Sequence, residues 1–241
     1  MQRTSRSRFL ILALFAFLPS FIKRSFYRFF LGYRVGKRVK IGISIIDAGH
    51  CEIDDDVRIG HFNVFTRVGK LTIREHCRIG HLNIIRGGDE VSLGRYSEII
   101  RLNEINSIPD PDVVNKIDPR FVLGDGSIVT TGHKIDFTDR VEIGRRVILG
   151  GRNSSLWTHN RQRTMPITIG ELVYIGSEIR MAPGSSLPSR SIVGIGAVVT
   201  AKLSDEGKLI AGVPAKVIRD LSVEDQFLVQ RKTRADLPDD V

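Results

Sequence analysis

The amino-acid sequence predicts an all-β fold, a parallel β-helix whose coils are built from six-residue repeats, with a short helix at each end. The first observation is an aliphatic residue at every sixth position of one stretch, at Ile169, Ile175, Met181, Leu187, Val193 and Val199. The second is the glycine that directly follows several of these residues, at Gly170, Gly176 and Gly194. The third is an internal match between residues 51–65 and 71–85, which share Ile-Gly-His and Asn at equal offsets.

A period of six distinguishes this fold from the other regular structures. An amphipathic helix repeats about every 3.6 residues and a half-buried strand about every two, so neither accounts for the spacing. A short strand followed by a turn does, because each face of a coil then points one aliphatic side chain inward. The same spacing recurs earlier, at Ile53, Ile59, Phe65 and Leu71, at Ile73, Ile79, Ile85 and Val91, and at Ile143 and Leu149. A β-sandwich with accidental spacing is the alternative, and the regularity of these positions argues against it.

Charge separates the beginning of the chain from the rest. Residues 1–46 contain ten Lys or Arg and no carboxylate, whereas the remaining residues carry 26 bases and 27 acids. A nucleic-acid-binding protein carries its basic patch on the folded domain, so this distribution argues against a nucleic-acid partner. A basic segment rich in aromatic residues indicates an anionic membrane surface instead.

Residues 1–34 are predicted to form a basic amphipathic segment that associates with such a membrane. The apolar run from Phe9 to Leu18 is too short to span a bilayer, which needs about 20 residues. No small-residue cleavage site of a signal peptide follows it; aromatic residues interleaved with cations follow instead. A helix packed on the domain or on a neighbouring subunit is the alternative. Two cysteines are too few for a disulfide framework, which favours the cytoplasm and the inner face of the membrane.

Residues 35–203 are predicted to form the β-helix domain. Two stretches break its period, residues 104–120 and 157–166, and both are expected to be loops that leave the wall of the helix. After Val199 the period ends, so residues 204–241 are expected to form a connector and a short terminal helix that begins at Val223. Such a helix could cover the open end of the coil stack.

Several ordered motifs resemble those of the hexapeptide-repeat acyltransferases, and most closely the O-acetyltransferases that act on sugars and surface polysaccharides. The motifs are Trp157-Thr-His159, Pro166-Ile-Thr-Ile-Gly170, Val173-Tyr-Ile-Gly-Ser177, Pro183-Gly184, Val193-Gly-Ile-Gly196, Val199-Thr200 and Ala211-Gly-Val-Pro-Ala-Lys-Val-Ile-Arg219. The resemblance covers residues 140–220. It implies a left-handed parallel β-helix, transfer of an acetyl group from acetyl-CoA to a sugar hydroxyl, and a homotrimer with sites between neighbouring chains.

His159 falls on the catalytic histidine of that family. Its chemistry agrees with a general base, because a hydroxyl is a poor nucleophile and imidazole titrates near neutral pH. Backbone N–H groups of an adjacent coil could stabilise the oxyanion on the thioester carbon. No cysteine or serine lies in a nucleophile motif, so direct transfer in a ternary complex is expected. A solvated loop histidine is the alternative for His159.

Four further residues are candidates for the acceptor side of the site. His133 and Asp136 follow the same face of the preceding coil and are expected either to bind the acceptor or to orient His159. A turn histidine is an equally good interpretation of His133. Asn153 and Trp157 are expected to line the acceptor pocket, where the indole could stack on a sugar; simple packing is the alternative.

For the coenzyme, the resemblance implies backbone contacts along the groove between coils and cations for the phosphates. The matching positions are Ser177, Ile195, Thr200, Lys202 and Arg219. No metal is expected: His61 and His81 each follow Ile-Gly, but Thr66 and Arg86 stand where a second zinc ligand would be needed.

The sequence therefore predicts an acetyl-CoA-dependent O-acetyltransferase that acts on a sugar or glycan acceptor in surface polysaccharide or glycolipid biosynthesis. Two other functions remain open at this stage. One is N-acetylation of an amino sugar nucleotide, which would not need the basic segment. The other is a non-catalytic β-helix that serves as a scaffold.

Overall fold

A computed structural model describes residues 6–108, 115–230, 232 and 236 of the chain. The helices are α1 (Arg6–Phe15), α2 (Ser20–Phe30) and α3 (Val223–Val229). The strands are, in chain order, β1 (Arg34–Val35), β2 (Lys40–Ile41), β3 (Ile45–Ile53), β4 (Arg58–Ile59), β5 (Val64–Ile73), β6 (Arg78–His81), β7 (Ile84–Arg86), β8 (Glu90–Leu93), β9 (Glu98–Arg101), β10 (Glu104–Asn106), β11 (Arg120–Leu123), β12 (Ile128–Thr131), β13 (Lys134–Asp136), β14 (Val141–Ile143), β15 (Ile148–Arg152), β16 (Ser155–Trp157), β17 (Ile167–Ile169), β18 (Tyr174–Ile175), β19 (Arg180–Met181), β20 (Ser186–Leu187), β21 (Ile192–Val193), β22 (Val198–Val199), β23 (Lys208–Ala211) and β24 (Lys216–Asp220).

The strands stack in parallel on three faces, which confirms the predicted parallel β-helix. The first face contains β8, β11, β14, β17 and β20; the second contains β7, β10, β13, β16, β19 and β22. The long strands β3 and β5 turn from the second face into the first and so join the two. The third face runs from β2 through β4, β6, β9, β12, β15, β18 and β21 to β23, which makes nine coils in the described part of the chain.

The predicted six-residue period becomes three columns of buried aliphatic side chains. On the second face the column is Ile46, Phe65, Ile85, Ile105, Ile135, Leu156, Met181 and Val199, in register from coil to coil. On the third face it is Ile41, Ile59, Ile79, Ile99, Val129, Leu149, Ile175, Val193 and Ile210. All of these side chains are buried. Truncating one of them to Ala would cost about 2–5 kcal/mol, because the neighbouring coils cannot close the cavity.

A column of buried polar side chains runs beside the aliphatic ones where each coil passes from the third face to the second. Its members are Ser44, Asn63, Asn83, Asn103, His133 and Ser154. The amide oxygen of Asn63 accepts the backbone N–H of Asn83 at 3.0 Å, and Asn83 accepts that of Asn103 at 3.1 Å. These bonds satisfy backbone donors that the turn would otherwise bury unpaired, which costs about 1–3 kcal/mol each.

The two N-terminal helices pack across the first coil. Leu12 and Tyr27 are buried, and the ammonium group of Lys23, also buried, donates to the carbonyl oxygens of Ala16 and Gly42. Burial lowers the pKa of Lys23. The sequence predicted one amphipathic helix here, and the structure has two because Pro19 separates them. No helix within the described ranges is long and apolar enough to cross a membrane.

Some predicted boundaries differ from those of the structure. The first loop is shorter than 104–120, because Glu104–Asn106 pairs with β7 and β13 and Arg120 already belongs to β11. Trp157 ends β16, so the second loop covers residues 158–166. In the segment after residue 203, Lys208–Ala211 is not a connector but joins the third face as its ninth strand. The terminal helix was predicted over residues 223–234 and ends at Val229 in the structure. Residues 109–114 of the first loop, and residues 231, 233 and 234 of the predicted terminal helix, lie outside the described residues.

Candidate active site

The residues predicted for the site lie around the second face of the fifth to eighth coils. Asp136 ends β13, and Trp157 ends β16 directly beside it in register. His159 follows two residues later, where the chain leaves the stack for the loop of residues 158–166. The parallel register therefore brings Asp136 and His159 together, although 22 residues separate them in the sequence.

His159 and Asp136 form a hydrogen-bonded pair. The Nδ1 atom of His159 lies 2.7 Å from Oδ2 of Asp136. The carboxylate is buried, with 2% of its side chain exposed, whereas the imidazole is 16% exposed. A carboxylate can only accept hydrogen bonds, so Nδ1 carries the proton and Nε2 carries the lone pair. No protein group in the described part of the chain bonds to Nε2, which leaves it available as a proton acceptor.

Two threonines fix the Asp136 carboxylate. The Oδ1 atom lies 3.1 Å from the backbone nitrogen and 2.7 Å from the hydroxyl of Thr138. The Oδ2 atom accepts the N–H and the hydroxyl of Thr158, both at 3.0 Å, and the N–H of His159 at 3.2 Å. These hydrogen bonds hold the carboxylate in one orientation, and through it they orient the imidazole of His159.

The loop after His159 is held by short-range and long-range contacts. His159 pairs with Thr164 in an isolated antiparallel bridge, and the N–H of Met165 donates to the carbonyl oxygen of Thr158 at 2.8 Å. The side chain of Asn115, from the other predicted loop, donates to the carbonyl oxygen of Thr164 at 2.9 Å. Both loops predicted from the sequence therefore meet beside the histidine.

His133 lies in a different environment from His159. It is fully buried and occupies the next position of the polar column after Asn103, whose Oδ1 accepts its backbone N–H at 3.0 Å. Its Nδ1 accepts the N–H of Ser154 at 3.1 Å, and its Nε2 lies 2.9 Å from the hydroxyl of Thr130. Burial lowers the pKa of His133 to about 4, so its ring is neutral at physiological pH.

The other two acceptor-side candidates lie at opposite ends of the second face. The indole of Trp157 is 41% exposed beside the His159 loop. Asn153 lies at the corner that precedes β16, with a positive φ of 61° and an exposed side chain. The guanidinium of Arg180 donates to the carbonyl oxygen of Asn153 at 2.7 Å, which holds this corner to the next coil.

The candidate coenzyme positions follow the same part of the stack. Ser177 and Ile195 occupy equivalent corners of the seventh and eighth coils, and the N–H of Gly196 donates to the carbonyl oxygen of Ser177 at 3.0 Å. The side chains of Ile195, Thr200 and Lys202 are exposed. Gly176 lets the two coils approach closely at this corner, because a Cβ there would lie 3.0 Å from the backbone nitrogen of Ile195.

Arg219 is already paired within the chain. Its guanidinium bonds to the carboxylate of Asp225, which also belongs to the capping box of α3 with Ser222. The ion pair raises the pKa of Arg219 and lowers that of Asp225. A phosphate would have to compete with this carboxylate for the same guanidinium.

The residues that sequence reasoning missed are Thr138, Thr158 and Asn115. Thr158 immediately precedes His159, and Thr138 follows Asp136 by two residues, so a search for hydrogen-bonding side chains around the candidate pair could have found both. Nothing in the sequence places Asn115 beside Thr164. Within the described residues, no group of three or more His, Cys, Asp or Glu side chains is placed to hold a metal ion.

Sequence comparison identifies two relatives that are named as acetyltransferases. A Saccharomyces cerevisiae protein named as an acetyltransferase, YJL218W, is 30% identical over 105 residues, which are 44% of this chain and 44% of the yeast protein. The galactoside O-acetyltransferase of Escherichia coli is 38% identical over 63 residues, 26% of this chain and 30% of that enzyme. The chain thus matches less than half the length of either relative. No protein-family model matches it.

Structural comparison supports the same fold. A Bacillus cereus crystal structure, of the BC4754 product named as an acetyltransferase, superimposes with a TM-score of 0.51. The sequences are 21% identical, and the match covers 67% of this chain and 84% of the other. At this identity the likeness shows the shared coil architecture.

Proposed function

We propose that this chain is a hexapeptide-repeat acetyltransferase and transfers an acetyl group from acetyl-CoA to a sugar hydroxyl. The observation that carries the proposal is the His159–Asp136 pair, with a buried carboxylate on Nδ1 and a lone pair on Nε2 that no described residue engages. The name of the E. coli relative, a galactoside O-acetyltransferase, supports the acceptor class.

In the proposed reaction His159 is the general base. Its Nε2 removes the proton of the acceptor hydroxyl while the oxygen attacks the thioester carbon of acetyl-CoA. Collapse of the tetrahedral intermediate breaks the C–S bond, and the CoA sulfur leaves with the proton that His159 accepted. Asp136 stabilises the imidazolium between these steps, because its negative charge lies 2.7 Å from Nδ1.

Acetyl-CoA is proposed to lie along the corner of the seventh and eighth coils. Ser177 and Ile195 would contact the coenzyme through their backbones, and Thr200 would contact it at the exposed end of β22. Lys202 and Arg219 would bind its phosphates. Of the two cations, Lys202 is the one without an ion pair within the described residues. Trp157 would then contact the acceptor beside the His159 loop, and Asn153 would contact it from the opposite end of the second face.

Two further features belong to the proposal. The second face carries the candidate site on its outer surface, and a neighbouring copy in a homotrimer would enclose it. The outer side of α1 and α2 is proposed to lie on the cytoplasmic face of an anionic membrane, which would place the enzyme near glycolipid or polysaccharide intermediates. The apolar residues exposed there are Leu10, Ile11, Leu14, Phe17, Phe21, Phe29 and Phe30.

The activity is tested by release of CoA from acetyl-CoA in the presence of a panel of sugars and glycosides. The wild-type chain is expected to release CoA with at least one acceptor, and His159→Ala is expected to lose about 10²–10⁴-fold in rate. His50→Ala is the matched control, because His50 is exposed on the first coil and pairs only with Glu52. No release by the wild type with any acceptor would favour a non-catalytic scaffold.

The membrane proposal is tested by sedimentation with anionic vesicles. Deleting residues 1–34 would also uncover the first coil, so substitution is the better design. Phe29→Ser/Phe30→Ser removes two rings that are 84% and 77% exposed. This variant is expected to stay folded and to lose binding, and equal binding by both proteins would contradict the membrane role.

A further inference from the structure

A cleft lies where α2 begins on the first two coils, far from the candidate active site. Its volume is about 450 Å³, and the start of α2 forms one wall with Phe21 and Arg24. The outer surface of the third face forms the other wall with Lys40 and Arg58. Asp136 and His159 belong to the fifth and sixth coils, about 20 Å further along the axis at the usual strand spacing. The cleft therefore takes no part in the transfer chemistry.

The cleft carries an excess of positive charge. Of its four cations, Arg38 is neutralised by Asp56, whose carboxylate accepts its Nε at 2.6 Å. Arg24, Lys40 and Arg58 have no ion pair within the described residues. Three positive charges thus converge on a concave surface.

The strand register places two of these cations side by side. Lys40 lies directly beside Arg58 on the neighbouring coil, and Arg58 lies beside Arg78 on the third coil. Like charges on adjacent strands repel each other and destabilise the pairing. Further along the stack, opposite charges share a register position, as in Arg78 beside Glu98 and Arg145 with Glu171. The unmatched cations of the first two coils indicate that an anion completes this surface.

The position of the cleft indicates where that anion comes from. Phe21, which lines the cleft, is 63% exposed and belongs to the apolar outer side of the N-terminal helices. Phe17, in the turn between α1 and α2, is 72% exposed. A headgroup phosphate lies just above the acyl chains that such side chains enter, so one ligand could satisfy both surfaces.

We infer that the cleft binds the phosphate of an anionic phospholipid, best a phosphomonoester such as that of phosphatidic acid. A phosphomonoester carries nearly two negative charges at neutral pH and three acceptor oxygens, which suits three converging cations. This inference rests on the proposed membrane association and adds a preference for one headgroup chemistry. Binding there would fix the orientation of the coil stack on the membrane.

The test compares vesicles of phosphatidylcholine mixed with either phosphatidic acid or phosphatidylglycerol, adjusted to equal surface charge. The full-length chain is expected to bind the phosphatidic acid vesicles more tightly. Lys40→Gln/Arg58→Gln is expected to lose about 30-fold in partitioning to those vesicles and to lose the preference. Arg67→Gln/Arg101→Gln is the matched control, because both residues are exposed and lie outside the cleft. Melting curves confirm that each variant is folded.

The outcomes separate this inference from the membrane proposal. No binding of the wild type to either vesicle would overturn both. Equal binding to the two vesicles, or an unchanged preference in Lys40→Gln/Arg58→Gln, would contradict the assignment of the cleft as a phosphate site. The proposed membrane association would not be affected. Calorimetry with soluble glycerol 3-phosphate separates a lipid from a free phosphate ester. An affinity for the soluble ester equal to that for the vesicles would mean that the cleft binds a free phosphate ester and not a lipid.

Discussion

His133 and His159 lie on consecutive coils but in opposite environments. His133 is fully buried; its Nδ1 accepts the N–H of Ser154 on the next coil, and its Nε2 bonds to the hydroxyl of Thr130 on its own coil. His159 is partly exposed, with one nitrogen on a buried carboxylate and no partner for the other among the described residues. The two rings thus differ in what they can do with a proton.

The comparison shows how one scaffold separates a structural from a chemical role. At the corner before the second face, a side chain must accept the N–H of the next coil, and Asn, His and Ser all meet that need. At the far end of the same face the chain leaves the stack, so a side chain there can face solvent and substrate. The proposed base therefore lies where the regular coil ends.

The largest expected effect comes from removing the partner of the proposed base. Asp136→Asn would place its amide N–H either at the Oδ2 position, against Nδ1–H of His159, or at the Oδ1 position, against the N–H of Thr138, which would disturb the tautomer or the ring position. A loss of about 10²–10⁴-fold in the rate of CoA release is expected. Steady-state kinetics should place this loss in kcat and not in the KM of either substrate, because Asp136 is proposed to orient His159 and to stabilise its imidazolium. Reduced stability with an unchanged kcat would mean that Asp136 is only structural.

The next effect concerns acid stability. The pKa of His133 falls from about 6.5 in the unfolded chain to about 4 in the folded one, because burial disfavours the charged ring. The unfolded state therefore binds more protons below pH 6.5, so this contribution is fully present above that pH. It is lost as the pH falls toward 4, by up to about 3 kcal/mol.

Urea unfolding at several pH values measures this loss. The variant His133→Asn is the control, because it has no ring to titrate and should show a weaker dependence between pH 6.5 and 4. Identical slopes of the unfolding free energy against pH for the two proteins would contradict the assignment of His133 as a buried, neutral side chain.

A smaller loss of stability at neutral pH is expected from replacing His133, which belongs to the buried polar column. His133→Leu leaves the N–H of Ser154 without an acceptor and should cost about 1–3 kcal/mol of unfolding free energy. His133→Asn should cost less, because Asn63, Asn83 and Asn103 show that an amide accepts the next N–H at this corner. Thermal or urea unfolding ranks the two variants, and a reversed order would contradict the shared role.

The smallest effect on activity is expected from Thr158→Val, which keeps the shape of the side chain and removes its hydrogen bonds to the Asp136 carboxylate and to the N–H of Asp139. The activity should fall several-fold and the stability by about 1–3 kcal/mol, because the N–H of Asp139 is left without that acceptor. Thr168→Val is a suitable control, because Thr168 is an exposed strand residue outside the site. A loss in Thr158→Val as large as that in Asp136→Asn would mean that the hydroxyl itself takes part in the reaction.

The sequence predicted the coil architecture because neither a helix nor an alternating strand repeats its buried positions every six residues. Ile135, Leu156 and Met181 could be assigned to the core from that period, and they form one buried column. The ninth strand escaped prediction, because Ile210 is its only buried residue and no repeat surrounds it.

The site was harder to predict, because loops change the number of residues per coil. Asn83 and Asn103 are 20 residues apart, but the loop before Arg120 places His133 30 residues after Asn103. The sequence therefore left His133 open between a turn and an acceptor contact. The same irregularity left open whether His133 and Asp136 bind the acceptor or orient His159. In the structure, the register of β13 with β16 brings the Asp136 carboxylate into contact with the His159 ring.

The rate of CoA release by His159→Ala relative to His133→Asn tests the central claim most directly. Both variants remove an imidazole from consecutive coils, and His133→Asn preserves the acceptor at its corner. We predict that His133→Asn keeps a rate within a few-fold of the wild type, whereas His159→Ala loses about 10²–10⁴-fold. Equal rates for the two variants, or a greater loss in His133→Asn when both are folded, would contradict the assignment of His159 as the base.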